Sequence, residues 1–153
     1  MADTSTIERS IVIEAPAAEI IPFLADLRRW VDWSPWEGQD SSMKRTYGGV
    51  QGEVGSSYAW SGNRKAGAGT MAVTRIAPTE IDVDLTFTAP FKSSSKVEFR
   101  LSAEDDSTRL VWTMTSPQNL MAKVMRVFVN MDKMIGGDFD KGLAKLKGAV
   151  EAR

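Results

Sequence analysis

The side chains with acid–base chemistry to offer are Glu37, Asp40, Glu53 and Asp132. None forms a recognisable catalytic pair by spacing. Asp132 falls between apolar positions of a helical pattern. It reads either as an inward carboxyl, whose neutral form burial would favour, or as a solvated or capping residue. The chain has no histidine and no cysteine. That removes the commonest general base, every His-dependent triad, thiolate nucleophiles, disulfides and the usual zinc sites. Ser34 therefore has no histidine to deprotonate it. Any catalysis is left to Asp, Glu, Lys, Tyr, Ser, Thr or ordered water. Gly67-Ala68-Gly69-Thr70-Met71-Ala72 fits the letters of a dinucleotide fingerprint. Strand-like alternation follows it in place of a helix, and no βαβ unit contains it. Two glycines in a strand more readily mark a bulge or bend. The expectation is no metal, no nucleotide and no cofactor.

The aromatic and sulfur-bearing residues carry more information. Trp30 to Trp36, WVDWSPW, holds three of the five tryptophans. These indoles either plug the core or wall one end of a pocket, since aromatics bury large areas wherever they can. Met114, Met121, Met125, Met131 and Met134 crowd around one helical segment, and methionine is the adaptable filler of apolar sites. Lys141, Lys145 and Lys147 read as a wet helix face with no partner implied.

These residues need elements to hold them. The chain has 153 residues, enough for one domain with a real core, and is read as a single domain, 1–153. Hydrophobic residues make up 42% and charged ones 25%, the balance of a globular protein, with a formal net charge of −1. That charge argues against a broad nucleic-acid footprint. The N-terminal stretch lacks an apolar run of the signal-peptide kind, and no later run is long enough to span a bilayer. The expected location is the cytoplasm, without membrane insertion.

Seven segments alternate as strands: Thr6–Glu14, Met43–Tyr47, Ser56–Ser61, Gly67–Ile76, Glu80–Phe87, Lys96–Leu101 and Thr108–Thr115. In the fifth, Ile81, Val83, Leu85 and Phe87 face one way and Glu80, Asp82 and Asp84 the other. Lys96, Glu98 and Arg100 lie outward on the sixth, which suits antiparallel cross-strand pairing. Gly62-Asn63 and Pro78 mark turns, and APFKSSS, 89–95, reads as a loop. Between the first two strands, Ile20, Phe23, Leu24 and Leu27 have helical spacing. Pro22 lies inside that pattern, so a kink or a second short helix is expected, with Asp26 as its cap.

After the last strand comes one long helical pattern: Met121, Val124, Met125, Phe128, Met131, Ile135, Phe139, Leu143, Leu146 and Val150. Ser116 is placed to cap it and Pro117 to begin it. A single helix of this length would span about 54 Å, more than a domain of this size holds. Gly136-Gly137 is the expected break. The layout is α+β: a seven-stranded curved antiparallel sheet wrapped around a long C-terminal helix, with two short helices after strand 1.

That order resembles the helix-grip arrangement of the START and birch-pollen-allergen-like proteins. WSPWE (Trp33 to Glu37), GSSYAWSGNRKAGAG (Gly55 to Gly69) and MDKMIGGDFDKGLAKLK (Met131 to Lys147) are similar to the bacterial SRPBCC proteins labelled polyketide cyclase/dehydrase-like. The resemblance covers nearly the whole chain. It implies an apolar cavity between sheet and helix that takes lipids, polyketides, sterols or aromatics. It predicts a pocket better than a reaction.

The expected function is therefore binding of a small hydrophobic molecule, by a monomer or homodimer. The alternatives are a cyclase or dehydratase working without His or Cys, in which cavity shape directs a reactive chain, and a co-chaperone-like interaction module. The expected lining is Trp36, Tyr58, Trp60, Phe87, Phe99, Trp112, Phe128, Met131 and Ile135, the large apolar residues on inward faces.

Overall fold

A computed structural model describes residues 4–33, 44–62, 68–89, 93–117 and 131–152. Its elements are β1 (Thr4–Ile13), α1 (Ala17–Ala25), a 3-10 helix (Leu27–Asp32), β2 (Lys44–Gly48), β3 (Ser57–Ser61), β4 (Ala68–Ala77), β5 (Glu80–Ala89), β6 (Ser93–Glu104), β7 (Ser107–Pro117) and α2 (Met131–Glu151). The strands form one seven-stranded curved sheet in the order β1-β7-β6-β5-β4-β3-β2, with every adjacent pair antiparallel. With the helices on its inner face, this is the expected helix-grip fold.

The outer face follows the expected charge pattern. Glu80 lies opposite Arg100, Asp82 opposite Glu98 and Asp84 opposite Lys96. The Arg100 guanidinium bonds Asp82 at 2.8 Å, approaches Glu80 at 3.3 Å and contacts Glu98. Such wet pairs add little stability each, but they fix which face of the sheet meets water.

Asp26 ends α1 and starts the 3-10 helix. Its backbone N–H donates to the Pro22 carbonyl at 3.2 Å, and its carboxylate accepts from the Arg28 N–H at 3.0 Å. The second short helix is therefore present where Asp26 was expected to cap it. Pro22 stays inside α1.

Two expectations about the C-terminal helix fail. Ser116 is no helix cap: β7 continues through it to Pro117, and its buried hydroxyl bonds the Ser95 hydroxyl at 2.8 Å. Gly136-Gly137 is no break, because α2 runs unbroken from Met131 to Glu151. The length argument assumed one rod from Ser116. The described helix of 21 residues is only about 31 Å long, which the domain accommodates. The penalty of about 1 kcal/mol per helical glycine is outweighed by packing, since Phe139, Leu143, Leu146 and Val150 form one fully buried stripe against the sheet. The stripe positions from Met121 to Phe128 lie outside the described residues.

The far end of α2 is clasped to β1. The Glu14 backbone N–H donates to the Glu151 carboxylate at 2.8 Å, Lys147 Nζ donates to the Val12 carbonyl at 3.0 Å, and Lys147 and Glu151 pair at 2.5 Å. Arg9 on β1 approaches Asp140 at 3.6 Å.

Candidate ligand-binding face

Cross-strand partners share a face, so the register places the inward side chains in rows across the sheet. One row runs Tyr47, Tyr58, Met71, Leu85 and Ser95, whose hydroxyl meets that of Ser116 on β7. Beside it runs Arg45, Trp60, Gly69, Phe87. Two rows away lie Ile76, Ile81, Phe99, Trp112 and Arg9.

These rows divide the aromatics into two groups. Around Phe99 and Trp112 the rings are sealed. Trp112 stacks on Phe139 of α2 with centroids 3.9 Å apart and planes within 2°. Trp33 meets Trp112 edge-on at 5.4 Å, and Trp30 meets Phe99 edge-on at 5.9 Å. The indole N–H groups of Trp30 and Trp33 donate to the carbonyls of Leu24 and Phe23, each at 3.0 Å. Those carbonyls belong to the last turn of α1, which has no helical donors for them. Of the two readings of WVDWSPW, Trp30 and Trp33 follow the first: they plug the core.

The second group is a strip on β2 to β5. Tyr47 and Tyr58 lie 5.1 Å apart with planes 30° apart, Tyr58 and Trp60 lie 5.9 Å apart at 18°, and Phe87 meets Trp60 edge-on at 5.7 Å. Tyr58 is buried; Tyr47, Trp60 and Phe87 are half-buried. The backbone is shaped for Trp60. A Cβ at Gly69 would lie 2.7 Å from Trp60 Cη2 and would also strike the Thr86 carbonyl. Only glycine lets the indole rest across β4. A register shift between Ala68 and Gly69 marks the bulge expected there.

Polar groups at this face are few. The Ser95–Ser116 hydroxyl pair is buried among apolar neighbours. No Asp or Glu occupies an inward position of the described strands; the inward charges are Arg9 and Arg45. Glu53 sits on the exposed β2–β3 loop, where its N–H donates to Ser56 Oγ at 3.2 Å. Among the described residues no three potential metal ligands converge.

Of the nine expected lining residues, the strip unites Tyr58, Trp60 and Phe87, while Phe99 and Trp112 stand in the sealed group. Trp36 and Phe128 lie outside the described residues, as do Ser34, Glu37, Asp40, Met43, Asn63, Met121 and Met125. Met131, Asp132, Met134 and Ile135 belong to α2, but their side chains lie outside the description. Sequence reasoning missed Tyr47 and the Ser95–Ser116 pair. Residues 93–95 belong to β6 and not to a loop. The signal was present, because Ser95 continues the inward parity of Val97 and Phe99.

An open apolar groove of about 450 Å³ lies elsewhere, between α1 and the β4–β5 turn, lined by Ala18, Ile21, Pro22, Ile76, Ala77 and Pro78. It is at the opposite end of β4 from Gly69.

The family model for polyketide cyclase / dehydrase and lipid transport matches residues 4–151. The chain belongs to this family. Among curated proteins, none matches the sequence. The solved structure of protein CV1439 from Chromobacterium violaceum is similar at a TM-score of 0.67 and 14% identity, covering 95% of this chain and 96% of that one. Ara h 8.0201 is similar at 0.60 and 14%, covering 98% and 99%. The Aha1 dimer from Colwellia psychrerythraea is similar at 0.64 and 19%, covering 96% of each. At such identities the likeness concerns the fold. Within the polyketide cyclase / dehydrase and lipid transport family, this chain shows a sheet whose inner face is sealed at one end and aromatic and half-buried at the other. No helix among the described residues is long and apolar enough to cross a membrane.

Proposed function

We propose that this protein binds a small hydrophobic molecule on the inner face of its sheet, over the strip Tyr47–Tyr58–Trp60–Phe87. The observation that carries this reading is the half-burial of three of these rings, with the Trp60 indole resting on Gly69. Large aromatics in a finished core are covered, as Phe99 and Trp112 are, at 0% and 1% exposure. Tyr58, Trp60 and Phe87 form the lining in this reading. Phe99 and Trp112 form its closed base, and Trp36, Phe128, Met131 and Ile135 complete it. The site works in the cytoplasm, in a monomer or a homodimer. The family description, which names lipid transport beside cyclisation, supports a lipid, polyketide or aromatic occupant.

The same description supports a second reading, a cyclase or dehydratase in which the face folds a reactive chain. The sequence has no His or Cys for that chemistry, so a carboxylate or tyrosine with water would move the protons.

A ligand of about twenty heavy atoms at about 0.3 kcal/mol each gains about 6 kcal/mol, a dissociation constant of tens of micromolar. Titration with fatty acids, sterols, flavonoids and quinones should quench tryptophan fluorescence in that range, and the Trp60→Phe variant should lose most of the response. A panel that leaves the fluorescence unchanged at about 100 μM, above that estimate, rejects the binding reading.

A further inference from the structure

We infer that the occupant of this face carries a carbonyl oxygen at one end of its apolar body, and that the Ser95–Ser116 pair donates the hydrogen bond that recognises it. The inference rests on the binding reading above and adds the polar contact. Ser95 continues the inward column of Val97 and Phe99 on β6, and Ser116 that of Trp112 and Met114 on β7. Two apolar columns thus end in hydroxyls, which meet at 2.8 Å. Ser95 is 4% exposed and Ser116 2%.

The two hydroxyls carry two hydrogens, and only one lies in the bond between them. Among the described residues neither has a further partner. The other buried hydroxyls of the described residues spend their hydrogen on the backbone. Thr108 Oγ1 donates to the Ala15 carbonyl at 2.7 Å, and Ser56 Oγ to the Glu53 carbonyl at 2.6 Å. A buried donor without an acceptor is costly, and alanine at both places would remove it at little cost in packing. Stability therefore does not ask for this pair.

Its position does suit a ligand. Ser95 pairs with Leu85, at the end of the row through Tyr47, Tyr58 and Met71. Phe87, at the β5 end of the aromatic strip, is its diagonal neighbour, about 7 Å away between backbones. Trp60 lies three strands from Ser95, about 14 Å at ~4.8 Å per strand. An elongated apolar body over Trp60 and Phe87 brings its far end to the pair. A carbonyl there takes the unused hydrogen without bringing another into the buried site.

Two steroids with one rigid skeleton isolate the oxygen: 5α-androstan-3-one and 5α-androstane. Each is added to the full chain carrying the fluorescent probe N-phenyl-1-naphthylamine. The ketone should displace the probe at about tenfold lower concentration than the hydrocarbon. In the double variant Ser95→Ala with Ser116→Ala that ratio should fall below about threefold. Circular dichroism melts check that the variant remains folded. A second measurement needs no variant: the infrared C=O band of the ketone bound to wild type, carrying a carbon-13 label, should lie below its position in hexane. Equal displacement by the two steroids, no displacement by the ketone, a preference that survives the double substitution, or a C=O band at its hexane position overturns the acceptor inference and leaves the binding reading standing. If neither the probe nor either steroid binds, both fall.

Discussion

The sealed group around Trp112 and the strip around Trp60 use the same kind of side chain on the same face of one sheet, yet their surroundings differ. At the sealed end, α1, the 3-10 helix and α2 all contribute. Phe139 covers one face of Trp112, and the indole donors of Trp30 and Trp33 satisfy the end of α1. At the strip, ring follows ring along β2 to β5, and three of the four rings keep part of their surface open. The first arrangement is what stability requires. The second leaves apolar area uncovered, which a folding protein gains nothing by doing. The difference teaches that an aromatic's role is set by what packs on it, not by its presence on an inward face.

The largest expected effect breaks the sealed end. Phe139→Ala should cost about 3–5 kcal/mol, while Trp60→Ala should cost less than about 2 kcal/mol because its ring is only half-buried. Urea denaturation of the two variants measures both. Equal losses would erase the distinction between the regions.

Next is Gly69→Ala, which places a methyl against the Trp60 ring and the Thr86 carbonyl. It should destabilise by about 1–3 kcal/mol and shift the Trp60 emission as the indole is displaced. An unchanged spectrum would mean that the glycine does not seat the ring.

A smaller effect is expected at the hydroxyl pair. Ser95→Ala leaves the Ser116 hydroxyl buried without its partner and should cost about 1 kcal/mol, whereas Ser95→Ala with Ser116→Ala should cost less than the sum of the singles. Additive losses would show that the two hydroxyls do not depend on each other.

The smallest effect concerns the clasp that holds α2 over the sealed end. The Glu14 backbone N–H and then Lys147 hold the Glu151 carboxyl below the usual glutamate range. A depressed pKa contributes stability that is present above the unfolded-state value and lost as pH falls through the folded one. Melting temperatures of wild type and Glu151→Gln should therefore differ near neutrality and converge in acid as pH falls through the lowered pKa of Glu151. A gap independent of pH would contradict the clasp.

The sheet was legible in the sequence because alternation is a local signal that tertiary packing rarely overrides when one face is wet. Glu80 to Phe87 predicted both its pairing and its outer charges. Asp26 was legible as a cap because a short acidic side chain at a helix start has few other uses. Ser116-Pro117 misled, since the same two residues that open a helix also extend a strand when the preceding alternation carries them inward. Gly136-Gly137 misled because propensity is weak beside the four buried residues that hold α2 in place. The candidate site was half legible. Parity found Tyr58, Trp60 and Phe87. Separating them from Phe99 and Trp112 required knowing where α2 and the 3-10 helix with Trp30 and Trp33 come down, which no spacing in the strands records.

The central claim is that a ligand occupies the strip and not the sealed end. Amide and indole chemical-shift mapping with N-phenyl-1-naphthylamine tests it directly. The account predicts that perturbations concentrate at Tyr58, Trp60, Gly69 and Phe87 and spare Phe23, Leu24, Leu110 and Phe139. Perturbations confined to Ala18, Ile21, Ile76 and Ala77 in the groove beside α1, or none at all at about 100 μM probe, above the expected dissociation constant, would contradict it.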